Sequence, residues 1–265
     1  MGGAMRRMVS FLAVCIVLGG VSPALAEHTR FSLPVEGADT LPEGVGQIGV
    51  FQPLRYGLTD SVELIAHPLL SLVAPAADFK VRWGQWGGWT VSSLSGVSFP
   101  TGLVSLLACE GTGCIYPQDA EIPFLIGFKS ELLASYSMLE ALRGTFRLGG
   151  KSALSLGDNT LPSVDLPLAY TRFAHLREHV ALWAGLGLDG RIWGPLWFVL
   201  DVDGWWVSES DAQFAFEQTG TVLWQITEGF ALQAGWMLIW GEYPYGDEWR
   251  VLPLIDALWA FGTAG

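Results

Sequence analysis

The chain has 265 residues, 51% of them hydrophobic, with a mean hydropathy of +0.38 and a formal charge of −12 at pH 7. So acidic a balance disfavours nucleic acid as a partner. Beyond the first 26 residues no apolar run reaches the roughly 20 that a transmembrane helix needs, and segments such as 229–241 fall short, which argues against a polytopic helical protein.

At the amino terminus Arg6 and Arg7 precede an apolar stretch over 8–21 and then Ala24-Leu25-Ala26. This predicts a secretory signal peptide over residues 1–26, cleaved after Ala26. An uncleaved anchor fits the length and flanks less well, and a lipoprotein site at Cys15 is disfavoured by the short preceding run and bulky Val14. Residues 27–265 contain no Pro/Ser-rich linker or charge block and read as one domain.

Strand-like alternation then recurs between Gly, Pro, Asn and Asp signals over 46–56, 61–67, 77–85, 88–99, 122–133, 142–149, 164–174, 179–188, 195–206, 212–226, 230–241 and 250–261. The fold class is all-β: a single transmembrane antiparallel β-barrel of about 12 strands, with 10 to 14 possible. Tight connections are expected at Gly57-Leu58-Thr59-Asp60, at His175-Leu176-Arg177-Glu178 and at Thr227-Glu228-Gly229, and longer ones at 100–121, 149–163 and 241–249. In bacterial barrels the short turns share one end, so they should follow strands of one parity. The turns after the first, seventh and tenth segments do not, so at least one segment is split or merged wrongly.

Side chains of a barrel strand point alternately to lipid and to lumen, and an unpaired carboxylate in hydrocarbon costs several kcal/mol, so acidic faces point inward. Asp201 and Asp203 therefore face the lumen with Val199 and Trp205, while Leu196, Phe198, Leu200, Val202 and Trp206 face lipid. The same test places Ser61, Glu63 and His67 inward, and Lys80 with Arg82, leaving Val62, Leu64, Phe79, Val81 and Trp83 outward. Ile122, Phe124, Ile126, Phe128 and Leu132 oppose Gly127, Lys129 and Glu131; Phe146 and Leu148 oppose Arg143, Thr145 and Arg147; Gln213, Glu217, Thr221 and Gln225 repeat the pattern. Trp86, Trp89, Trp193, Trp224, Trp240, Trp249 and Trp259 lie mostly near strand ends, where an interfacial girdle would place them.

The lumen set is thus Glu63, Lys80, Arg82, Lys129, Glu131, Arg143, Arg147, Asp201, Asp203 and Glu217, with Glu63 beside Lys80 or Arg82 and Glu131 beside Arg143 or Arg147. Two readings stay open: an ion network that packs a narrow lumen, or a polar constriction that filters small solutes. Cys109 and Cys114 flank a Gly-containing turn in an exported chain, where a local disulfide is the expected outcome; a metal site would need further ligands, so no metal and no cofactor is expected. Asp201 and Asp203, about 6.5–7 Å apart on one strand face, have a spacing compatible with an acid/base pair and equally with two aspartates facing Arg147. His28, His67, His175 and His179 form no local triad; His175 and His179 read as solvated turn residues.

Thr40-Leu41-Pro42-Glu43-Gly44, Phe51, Arg55-Tyr56-Gly57-Leu58-Thr59-Asp60, Glu63, His67-Pro68-Leu69 and Phe79-Lys80-Val81-Arg82 together resemble the opening of uncharacterised Gram-negative outer-membrane β-barrel proteins, over about a sixth of the chain. The resemblance implies the same architecture and an outer-membrane location, and brings no catalytic residues. It would also imply a terminal aromatic, whereas Phe261 is followed by Gly262-Thr263-Ala264-Gly265. The expected role is a narrow channel or structural surface barrel with a charged, partly filled lumen, as a monomer in outer-membrane lipid with an unknown small solute. The alternatives are a barrel enzyme acting on lipid or peptide through His67 or Asp201 and Asp203, and a soluble exported β-protein that binds a ligand.

Overall fold

A computed structural model describes residues 37–110, 114–139, 141–159, 161–162, 167–178, 180–208, 213–243 and 246–262. The leader, His28 and His179 lie outside the described residues. Twelve antiparallel strands close into one barrel in sequence order: β1 (Gly46–Gly49), β2 (Leu54–Thr59), β3 (Val62–Ala66), β4 (Ala76–Trp86), β5 (Trp89–Ser98), β6 (Phe124–Leu139), β7 (Leu142–Leu156), β8 (Val180–Trp193), β9 (Leu196–Val207), β10 (Phe214–Thr227), β11 (Phe230–Tyr243) and β12 (Gly246–Phe261). Closure pairs Gly46 with Phe261 and Gly49 with Leu258. Two helices interrupt the strands, α1 (Thr101–Leu107) and α2 (Pro167–Glu178).

Two expectations fail, in ways that cancel. The segment 46–56 is two strands, because the chain turns at residues 50–53: Asp256 of β12 accepts the amide N–H groups of Val50 (2.8 Å), Phe51 (3.2 Å) and Gln52 (2.9 Å), and Pro53 offers no N–H at all. Of the segment 164–174, the described residues from Pro167 onward form, with the supposed turn at 175–178, helix α2. Its buried residues Tyr170, Thr171, Ala174 and His175 recur at helical spacing, and Thr171 is its one β-branched residue. The strand count stays at 12, and the parity conflict between the expected turns disappears: those at 60–61 and 228–229 follow β2 and β10, both even-numbered. A two-residue turn sits at Gly87 and Gly88, both at positive φ (56° and 86°), which glycine adopts without steric cost. The connection at 241–249 is also shorter than expected, since β11 runs to Tyr243 and β12 starts at Gly246.

The connections after even-numbered strands and both described chain ends share one end of the barrel, the turn end; the connections carrying α1 and α2 crown the other, the loop end, where β11 and β12 are also joined. Polarity is inverted relative to a water-soluble protein. Lys80 and Glu63 are fully buried inside, while outward-pointing Leu186 and Ile255 are 64% and 73% exposed. Outward aromatics gather at two levels. Trp86, Trp89, Tyr136, Trp193, Trp224, Phe230 and Trp259 ring the turn end; Phe99, Phe124, Trp206, Phe214, Trp240 and Trp249 ring the loop end.

The interior is packed from both ends. Residues 37–45 enter at the turn end, where Ala38 packs on Ile65, Leu94 and Leu133. From the loop end α2 descends so that Tyr170 and Ala174 pack on Ala181, Val207 and Tyr243, and Leu176 joins Val104, Tyr116 and Leu125 beneath α1. Gly57 makes the first plug possible, because it exchanges backbone hydrogen bonds with Gly44 and Val45 and a β-carbon there would strike the Pro42 carbonyl. Gly57→Ala is expected to loosen residues 41–45 at a cost of about 1–3 kcal/mol. Limited proteolysis of the amino-terminal segment and the temperature of the heat-induced gel shift measure it.

Candidate functional site

The lumen is the candidate site, and its charges are engaged at three levels. At the turn end Arg55 of β2 grips Glu63 of β3 through two bonds, Nε to Oε1 at 2.6 Å and Nη2 to Oε2 at 3.0 Å, with both side chains inaccessible to solvent. Glu63 also accepts the Leu41 amide at 2.9 Å. Lys80, which the register sets opposite Glu63, donates instead to the Gly37 carbonyl at 2.8 Å. Ser135 accepts the Ala38 amide at 2.9 Å, and Arg143 bridges Asp39 of the entering segment and Asp189 of β8. Arg82 lies half-buried at the bulge between Arg82 and Gly84.

At mid-height Arg147 lies between Asp201 (Nη1 to Oδ1, 3.1 Å) and Asp203 (Nη2 to Oδ2, 3.0 Å). Both carboxylates face one guanidinium, the arrangement that competes with acid/base chemistry for this pair. Glu131 pairs with Lys129 at 3.6 Å rather than with Arg143 or Arg147, and accepts the Trp183 indole N–H at 3.1 Å.

Near the loop end Arg172 and Thr171 of α2 both bind Glu217 of β10, at 2.7 and 2.6 Å, which fastens the helix to the wall. Trp183 and Trp205 stack with centroids 4.9 Å apart, and the Lys151 ammonium sits 4.9 Å over Trp205. A cavity of about 310 Å³ beside this group is lined by Asp78, Phe128, Lys129, Lys151, Arg172 and His175, among others. His175 is no solvated turn residue: it is 7% exposed, its Nδ1 has no hydrogen-bond partner among the described residues, and burial next to Lys151 pushes its pKa down to about 3.

His67, a catalytic candidate on sequence, holds backbone instead. Its Nε2 lies 3.1 Å from the Phe51 carbonyl and its Nδ1 3.3 Å from the Leu70 amide, which the neutral Nε2–H tautomer satisfies by donating to the first and accepting from the second. Cys109 and Cys114 are joined by a disulfide beside α1. Among the described residues no three His, Cys, Asp or Glu side chains gather as a metal site.

Sequence reasoning missed Asp39, Arg55, Lys151, Arg172, Asp189 and Asp256. Arg55 was hidden by the split of the first strand and Arg172 by the helix read as a strand. Asp39 sits in a loop that carries no period.

No family model matches the chain, and no curated protein matches its sequence. Among solved structures it is similar to a bacterial polysaccharide outer membrane secretin, at 11% identity over 82% of this chain and 69% of that one, with a TM-score of 0.44. It is similar to the outer membrane channel DcaP of Acinetobacter baumannii at 11% identity over 91% and 69%, TM-score 0.39, and to OmpT of Vibrio cholerae at 8% over 81% and 64%, TM-score 0.44. Likeness at this level sets neither family nor activity.

Two predictions follow from the charge network. Arg55→Met strands a buried carboxylate and is expected to cost about 3–5 kcal/mol, whereas Arg55→Met with Glu63→Leu recovers most of the loss; urea titrations in lipid vesicles, arranged as a double-mutant cycle, measure the difference. For His175, the unfolded chain binds a proton near its ordinary pKa of 6.5 while the folded chain refuses it until about 3. Stability therefore falls as pH drops below about 6.5. Protease cleavage within 157–178 should rise on acidification, and the rise should be blunted in His175→Leu.

Proposed function

We propose that this protein is a monomeric outer-membrane β-barrel serving as a narrow, gated passage for small solutes, with residues 37–45 as its plug and α2 narrowing the opposite mouth. The observation that carries the reading is the inverted polarity: a belt of exposed Leu, Ile, Val and Phe between two aromatic rings, around a lumen of buried ion pairs. Such a belt would be costly in water and matches the apolar band of a bilayer. Placing the loop end outside the cell follows the usual disposition of long loops.

The plug is held by ionic and hydrogen-bonded contacts along one face, from Lys80, Ser135, Arg143 and Glu63. Contacts of this kind exchange for water more readily than a covalent or fully apolar seal would. The polar lumen supports a passage and the seated segment supports its closure at rest.

Cell fractionation with boiled and unboiled gels tests the location. Recovery from outer membranes with a heat-dependent shift is expected; a soluble protein without it would refute the proposal. In planar bilayers the wild type should stay nearly silent, whereas Lys80→Met with Arg143→Met should produce discrete openings. Silence in both, with the fold intact, would make the barrel a structural one.

A further inference from the structure

The wall is not of even height. β1, β2 and β3 have 4, 6 and 5 residues, against 16 in β12. At roughly 3.3 Å per residue and the usual barrel tilt, such short strands rise only about 10–15 Å, well under the ~25 Å of an outer-membrane apolar band. β12 by contrast pairs with β1 only over Leu258–Phe261, while its pairing with β11 extends from Trp259 to Gly246. Between Ala257 and the loop-end ring at Trp249, one edge of β12 has no neighbouring strand among the described residues.

The sequence of β12 is adapted to that edge. The Ala257 carbonyl accepts from Val50 on the β1 side, and because residues two apart point their backbone groups the same way, Pro253 sits with its missing N–H toward the gap. The segments that border the gap also satisfy their backbone locally. Asp256 takes the amides of Val50, Phe51 and Gln52, and His67 bridges the Phe51 carbonyl and the Leu70 amide. A short 3₁₀ turn at Leu70–Leu72 covers more. Their side chains are apolar and exposed, Phe51 at 74% and Leu72 at 82%, as are Val251 at 63% and Ile255 at 73% on β12. Irregular backbone at membrane depth is tolerated only where its polar groups are matched in this way.

Behind the gap the lumen changes character. Leu252 and Leu254, on the same face as buried Asp256 and Leu258, are part-exposed where β1 no longer backs them, although Leu258 itself is 1% exposed. Register sets Leu252 against Met237, whose sulfur lies 3.9 Å from an Arg172 guanidinium nitrogen on α2. The route from the gap is thus apolar first and ends at Arg172, which is paired with Glu217 and lines the cavity together with Lys129 and Lys151.

We propose that this gap is a lateral portal through which a single-chain amphiphile, a hydrocarbon body with a carboxylate head, moves between the lipid beside β12 and the lumen. The portal rests on the membrane reading above and gives that passage a substrate class. A long-chain fatty acid with a terminal diazirine, photolysed with the wild-type protein in phosphatidylcholine vesicles and mapped by mass spectrometry, tests it. Adducts are expected on inward Leu252 and Leu254 at yields comparable to outward Val251 and Ile255, with none on inward Leu94 and Leu133. Adducts confined to outward residues, including Leu182 and Leu186, would overturn the portal and leave the membrane barrel standing. Labelling of all inward residues alike would overturn it too, since the probe would then enter from the ends. Absence of adducts on the outward residues would remove the membrane reading itself. In Leu254→Asp, checked for fold by the heat-dependent gel shift, loss of the inward adducts is expected, and their retention would count against the route.

Discussion

Most charged side chains that the described residues point into this barrel are matched by a counter-charge, by backbone groups or, for Lys151, by an aromatic face, and the rest of the structure follows from that confinement. A guanidinium or ammonium removed from water must be matched within hydrogen-bond distance or the fold loses several kcal/mol. Glu63, Arg55 and Lys80 meet this demand by holding one another and the backbone of residues 37–41, so the requirement that satisfies the lumen also seats the plug. Arg172 and Glu217 do the same for α2. The entering segment and α2 are therefore partners of the wall rather than additions to it.

Outside, the demand is reversed. Long strands β6 to β12 present exposed aliphatic side chains between rings of aromatics, whereas β1 to β3 are too short to reach the second ring. A closed barrel removes free edges only where neighbouring strands match in length. Where they do not match, Pro253, Asp256 and His67 manage the exposed backbone one group at a time. Leu252 and Leu254, on the inner side of this edge, stay part-exposed.

The Arg55–Glu63 pair is sealed from water, whereas Arg143 ties the entering segment to the wall by reaching both Asp39 and Asp189 of β8, and Lys80 holds the Gly37 carbonyl. α2 is restrained by Glu217 and by an edge-on contact between Tyr170 and Tyr243, and its buried neutral His175 makes its seating sensitive to acid.

The barrel class, its 12 strands, the inward charges and the aromatic rings were legible in the sequence because each is a local, period-2 property: one unpaired Asp or Lys decides which face of a strand meets lipid. Lys80, Glu131, Arg147 and Asp201 needed no neighbours to be assigned inward. What the sequence by itself did not determine is which charge meets which. Glu63 was placed beside Lys80 correctly in register, yet it pairs with Arg55, because the choice depends on side-chain reach across three strands and on the entering segment taking up the lysine. α2 escaped because twelve residues with mixed polarity satisfy either period, and only the packing of Tyr170 and Ala174 on Ala181 and Val207 selects the helix. The plug escaped because residues 37–45 have no period of their own; their place is set by the backbone of Gly57 in β2 and by side chains of β3, β4, β6 and β7, which only the closed barrel brings together.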